Sequence, residues 1–171
     1  MINNQLYKSK YLTIFKRLGS HSVLALIALI VIGGATRVME AGLACPDWPL
    51  CYGSFLPSSH MNLRVFLECF HRLDAFFVAV AISFQFLLAL IYKTYLPKWL
   101  PWISAFFVLL VTFQAILGAL TVSQLLPASV VTAHLGLALT LVAGMSGLAQ
   151  VLLSPNTCCF NEWLGSEITF T

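Results

Sequence analysis

The chain has 171 residues, 60% of them hydrophobic and 9% charged, with a net charge of +3 and a mean hydropathy of +0.91. A soluble domain carries about 25% charged residues, so too few polar groups are present to cover a water-facing surface, and a bilayer is the natural solvent. The small, scattered charge argues against nucleic-acid binding, and the first apolar stretch is too long, and lacks a following cleavage site, for a secretory signal.

A membrane-spanning helix needs about 20 mainly apolar residues. The first predicted span runs from Leu18 to Val38, between Lys16-Arg17 and Arg37. Residues 1–17 then form an N-terminal segment. A connection from Met39 to Arg64 holds Cys45, Pro46, Pro49, Cys51, Gly53 and Pro57, and reads as turns and loop. The second span covers Val65 to Tyr92, with polar opening turns (Glu68, His71, Arg72, Asp74). Lys93 to Lys98 is a short link. From Trp99 to Asn161 there is no Asp, Glu, Lys or Arg, a stretch too long for one span. Ser123-Gln124 and Pro127 divide it into a third helix, Trp99 to Val122, and a fourth, Ala128 to Leu153, with Pro127 suited to the first turn. Residues 18–153 therefore form one domain, and 154–171 a poorly ordered tail.

Basic residues near span ends set orientation. Lys8, Lys10, Lys16 and Arg17 precede the first helix, and Lys93 and Lys98 separate the second from the third. The first connection has Arg64 against Glu40 and Asp47, and the connection before the fourth helix has no charge. The expected fold is an all-α, multi-pass membrane four-helix bundle with antiparallel neighbours. Both termini, the tail included, face the cytoplasm and the Cys45/Cys51 loop faces outward. No internal repeat is strong enough in sequence to assert.

In that topology the second and fourth helices both start outside. His71 lies in the opening turns of one and His134 in those of the other. At about 1.5 Å per residue their imidazoles reach matching depth near the outer face. Two neutral imidazoles facing across a bundle can bind one haem iron axially. The alternative is two unrelated polar residues near the interface, although ionisable groups inside a span are costly and usually functional. Ala75, Ala138, Gly136, Gly33-Gly34 and Gly118-Ala119 are small enough either to admit a macrocycle or to pack helices closely.

Glu68 shares a helix face with His71. It reads either as a proton-handling carboxylate or, more plainly, as a solvated interfacial one. Arg37 and Arg72 can pair with haem propionates or snorkel to lipid headgroups. Asp74 can pair with either arginine. Cys45 and Cys51, in an outward loop, are disulfide candidates, with free thiols or a redox pair as alternatives. Cys158 and Cys159 are expected as cytoplasmic thiols. His21 and His60 fall outside the matched depth.

These residues resemble a known family. Gly33-Gly34-Ala35-Thr36-Arg37 with Gly42-Leu43-Ala44-Cys45-Pro46-Asp47-Trp48-Pro49-Leu50-Cys51 is similar to the first helix exit and loop of bacterial haem A synthase. Glu68-x-x-His71-Arg72-x-x-Ala75 resembles its second-helix signature. Gln114-x-x-Leu117-Gly118-Ala119-Leu120-Thr121-Val122 and Val131-Thr132-x-His134-Leu135-Gly136-Leu137-Ala138 resemble the end of its third helix and the start of its fourth. The resemblance covers residues 18 to 153, in order.

It implies oxidation of a methyl group of haem O to the formyl group of haem A, for cytochrome oxidase assembly. Water supplies the oxygen, and electrons leave to a partner or a second haem. It implies a plasma-membrane oxidoreductase with His71 and His134 on the haem iron, Glu68 as the catalytic carboxylate, Arg37 and Arg72 as cofactor-binding residues, and Cys45 and Cys51 as structural or redox loop cysteines. Haem O is the substrate, with haem b a further cofactor. The implied partners are the enzyme that supplies haem O, an electron acceptor, membrane lipid and further copies of the chain. Family members typically have eight helices in two similar halves, and this chain matches the first. A homo-oligomer or a truncated copy are the two accounts of that. The alternative functional reading is a membrane haem-binding or electron-transfer protein without synthase activity.

Overall fold

The computed structural model describes residues 2–154. They form α1 (Ile2–Val38), a short 3-10 turn (Ser58–His60), α2 (Leu63–Ile91), α3 (Leu100–Ser123) and α4 (Ala128–Leu153). Among the described residues the only β pairing is an isolated bridge between Cys51 and Ser54. Ser9–Val38 and the other three helices are each long and apolar enough to cross a membrane, and the protein is a multi-pass membrane protein. Cys158, Cys159 and, apart from Ser154, the tail expected over 154–171 lie outside the described residues.

Helix α1 begins at Ile2 rather than Leu18. The basic residues there lower hydropathy but do not break a helix, and neither proline nor glycine occurs before Gly19. At about 1.5 Å per residue the helix outruns the bilayer core of about 30 Å. Its extra turns have a tertiary anchor. Tyr11 stacks on Tyr92 with ring centroids 3.9 Å apart, Tyr7 tilts against Tyr95 at 5.8 Å, and Phe15 is buried. The start of α2 is fixed by Asn62, whose side-chain oxygen accepts the Val65 N–H at 3.0 Å, satisfying one of the donors a helix start leaves free. Pro127 stands one position outside α4, at its N-cap.

Each helix packs on two others, α1 and α3 both contacting α2 and α4. Sequential neighbours run antiparallel: Gln85, late in α2, donates to Ser22, near the middle of α1, while His71, early in α2, meets Gly33, late in α1. Outward faces are apolar, as expected against lipid; Leu24 and Val31 on α1 and Trp102 on α3 are well exposed.

The fold contains a repeat that the residue identities conceal. Helix α1 ends with Ala41 N–H bonding Thr36 O at 2.8 Å, and α3 ends with Leu126 N–H bonding Thr121 O at 2.8 Å. Both are six-to-one closures of the kind that satisfies terminal carbonyls. Glu40 and Leu125 take the left-handed conformation in the turn between. One turn earlier the Thr36 hydroxyl donates to Gly33 O and the Thr121 hydroxyl to Gly118 O, each at 2.6 Å. The match continues in the second helix of each pair. Val78, Ile82, Gln85 and Ala89 are the buried inner positions of α2, and Leu141, Met145, Leu148 and Leu152 hold the same spacing from His134 as those four hold from His71. The bundle is thus two copies of one helical hairpin, α1–α2 and α3–α4.

The apolar core occupies one half of this bundle. Its buried members reach as far as Leu26, Val78, Val111 and Leu141. His71 and His134 lie about two turns beyond that level, among glycines, alanines and polar side chains.

Candidate haem-binding site

Each histidine sits on the second helix of its hairpin and leans on a glycine of the first. A Cβ added at Gly33 would stand 2.9 Å from His71 Cε1, closer than side chains tolerate, and one at Gly118 would stand 3.4 Å from His134 Cε1. Gly33 is therefore glycine for ring space. His71 Nδ1 and His134 Nδ1 are both buried and have no hydrogen-bond partner. Buried polar atoms are nearly always paired, so two orphaned imidazole nitrogens at equivalent positions ask for a ligand or a water. Gln114, one turn before Gly118, donates from Nε2 to His134 O at 3.1 Å and lies 3.4 Å from His134 Nε2, with its own Oε1 buried and unpaired. A donor set of two neutral imidazoles, with glycines beneath the rings, fits haem iron.

Glu68 is 4% exposed, which overturns the reading of a solvated interfacial carboxylate. Its Oε1 accepts from Arg72 Nη2 at 2.5 Å and its Oε2 from the Cys45 N–H at 2.9 Å. No pattern along α2 signals this burial, because the cover comes from the loop, 23 residues away in the chain. Arg72 is also held by that loop. Its Nη1 donates to the carbonyls of Asp47 and Leu50, each at 2.5 Å, and its Nη2 to the carbonyl of Cys45 at 3.4 Å. These bonds stitch the loop to α2 and occupy the guanidinium that the sequence offered to propionates. Arg37, in the last turn of α1, is exposed. Asp74 is half-buried, and its Oδ2 has no partner. The ion pair among the described residues is Glu68–Arg72, not one made by Asp74.

Cys45 and Cys51 form a disulfide. Cys69, on α2, is a buried free thiol with its Sγ 3.6 Å from Cys45 Sγ. Nothing in the spacing of the cysteines brings Cys69 to the loop, and its place follows only from the way Arg72 and Glu68 draw the loop down. Asp47 holds the loop's tip: Oδ1 accepts the Tyr52 N–H at 2.6 Å and Oδ2 the Gly53 N–H at 2.8 Å. The Gly53 bond, chiefly, holds the Asp47 carboxyl below the ordinary carboxylate range. An Asp five to six residues before a Tyr-Gly turn was a readable signal for this anchor. His60 stacks on Tyr52 with centroids 4.3 Å apart, and His21 Nδ1 faces Arg17 O at 2.6 Å, far down α1. Both stand apart from the pair.

Residues 16–162 match the family described as cytochrome oxidase assembly protein. The chain is 34% identical to the haem A synthase of Shewanella oneidensis over 74% of its own length and 40% of that protein's. It is 29% identical to the haem A synthase of Lysinibacillus sphaericus, covering 76% of this chain and 43% of the relative. For the haem A synthase of Staphylococcus saprophyticus the values are 30%, 69% and 40%. The chain thus spans about two fifths of the length of these relatives.

Proposed function

Because the chain belongs to the family of cytochrome oxidase assembly proteins, we propose that it is a haem A synthase-like oxidoreductase acting on haem O. The observation that carries this reading is the pair of equivalent, half-buried imidazoles, His71 and His134, each with a buried Nδ1 that has no hydrogen-bond partner, with a buried carboxylate, Glu68, one turn from one of them. The substrate would bring the iron for the two imidazoles and the methyl group to be oxidised to a formyl, with water as oxygen source.

The chain's own residues do the rest. His71 and His134 fix the macrocycle between the hairpins. Glu68, paired with the Arg72 guanidinium, takes up a proton released near the oxidised carbon. The Cys45–Cys51 loop, stitched down by Arg72, covers the carboxylate and keeps bulk water from it. Arg37, exposed at the helix end, is the arginine with a guanidinium at hand for a propionate, while Arg72 meets one only by giving up loop carbonyls. Both termini face the cytoplasm in this reading, in keeping with Lys8, Lys10, Lys16, Arg17, Lys93 and Lys98. In this reading further copies of the chain assemble with it as a homo-oligomer. Electrons leave to a partner acceptor or to a haem b.

Expression together with an enzyme that makes haem O, followed by extraction and mass analysis of the haem, tests this. Formyl or hydroxymethyl haem is expected from the natural chain, and unchanged haem O from Glu68→Gln with haem still bound. Haem O recovered unchanged from the natural chain would sink the enzymatic reading.

One observation favours a second reading. Both Glu68 oxygens already have partners, as befits a structural carboxylate in a haem-binding or electron-transfer protein. A reversible redox titration with no altered haem would select it.

A further inference from the structure

Three sulfurs meet where the loop lies on α2. The Sγ atoms of Cys45, Cys51 and Cys69 all fall within 4.8 Å of one another, and the three residues are 0%, 2% and 4% exposed. Two are joined as a disulfide and the third is a thiol, 3.6 Å from the Cys45 sulfur. From this we propose that Cys69 is the resolving thiol of a three-sulfur exchange unit, through which the loop disulfide passes from Cys45–Cys51 to Cys45–Cys69 and releases Cys51.

The step balances without an outside reagent. The Cys69 sulfur swings into line with the Cys45–Cys51 bond and attacks the Cys45 sulfur. The Cys69–Cys45 bond forms as the Cys45–Cys51 bond breaks, and the proton lost by Cys69 ends on Cys51. One disulfide and one thiol are present before and after, as in any thiol–disulfide exchange.

The backbone favours Cys45 as the shared sulfur. Its N–H is bonded to Glu68 Oε2 and its carbonyl to Arg72, so it is tied to α2 whichever partner it has. Cys69 is one residue from Glu68 on the same helix. Cys51 instead belongs to the turn closed by Tyr52 and Gly53, both in left-handed conformation, which can move once the sulfur bond to Cys45 is gone. Exchange therefore converts a loop tethered at Cys51 into a loop bearing a free thiol, and loosens the Asp47 and Leu50 carbonyls from Arg72. A plain packing role, a small apolar residue beside a disulfide, predicts none of this. The inference rests on sulfur geometry alone and stands whether or not the histidines bind haem.

The test uses the full chain in detergent, with Cys158→Ser and Cys159→Ser so that only the three cysteines Cys45, Cys51 and Cys69 remain. After incubation without reductant, the protein is denatured in acid with N-ethylmaleimide, digested and mapped by mass spectrometry. Two populations are expected: Cys45–Cys51 with label on Cys69, and Cys45–Cys69 with label on Cys51. In Cys69→Ser the label on Cys51 falls to background. Label found only on Cys69 in the natural arrangement, at every incubation time, would overturn the proposal. Cys51→Ser supplies a second check, with folding judged by circular dichroism and elution volume. Mild oxidation should link Cys45 to Cys69 and remove both from labelling, and two alkylated thiols in a folded Cys51→Ser chain would overturn it equally.

Discussion

The two hairpins share a frame and differ in what they carry. In both, a threonine one turn from the end bonds back to a glycine carbonyl, a six-to-one bond closes the helix, and a histidine on the returning helix lies against that glycine. The α3–α4 hairpin then closes through a short turn, Gln124–Pro127, with no ionisable group. The α1–α2 hairpin inserts a long loop bearing a disulfide, an aspartate anchor and three carbonyls for Arg72. At the position of Glu68, three before the histidine, α4 has Val131. Placing a ring at a chosen depth needs only the shared frame. Burying a charge beside that ring needs the loop, because a carboxylate without partners is too costly to hold inside a bundle.

The comparison is most exposed to Glu68→Ala. Removing one member of a buried ion pair leaves the other charge uncompensated, at a cost of about 3–5 kcal/mol. Arg72 would lose the carboxylate and Cys45 its acceptor, so the loop should loosen with the helix. Val131→Ala, the equivalent change in the second hairpin, should cost about 1 kcal/mol. Denaturant unfolding in detergent measures both. Equal losses would mean that the loop contacts add nothing to the first hairpin.

A smaller effect probes the shared frame. Gly33→Ala drives a methyl into the His71 ring, and overpacking of this kind costs about 1–3 kcal/mol. Gly118→Ala meets His134 at the edge of ordinary contact and gains helix propensity of up to about 1 kcal/mol. The first should lower the melting temperature and weaken haem uptake followed by the Soret band. The second should leave both unchanged or raise the melting temperature. If Gly118→Ala is as damaging as Gly33→Ala, the two rings are equally confined and the asymmetry is wrong.

Much of this arrangement was legible in the sequence. Four spans and the matched depth of His71 and His134 follow from apolar run length and the proline and polar breaks between runs. The early start of α1 was hidden because Lys8, Lys10, Lys16 and Arg17 lower hydropathy without opposing a helix. The repeat was hidden because burial, not identity, is what repeats: Gln85 and Leu148 do the same packing job with unlike side chains. The surroundings of Glu68, Arg72 and Cys69 were not legible, for one reason. Their partners lie in the loop, and a pattern confined to one helix does not contain them.

The smallest expected effect concerns the turns themselves. Asp47 accepts the Tyr52 and Gly53 N–H groups, and the Gly53 bond above all lowers its carboxyl below the ordinary range. A carboxyl lowered in this way contributes its stabilisation in full above the unfolded value of about 3.9 and loses it as the pH falls through the lower folded value. Acidification should therefore loosen the first loop, and the fluorescence of the exposed Trp48 beside Asp47 reports it. Asp47→Asn should flatten that response, because an amide does not titrate in this range. The turn at Gln124–Pro127 has no carboxylate, so a probe placed there should stay level across the same interval. A parallel response from both turns would mean that acid loosens the bundle as a whole, and that the loop is not a separately anchored unit.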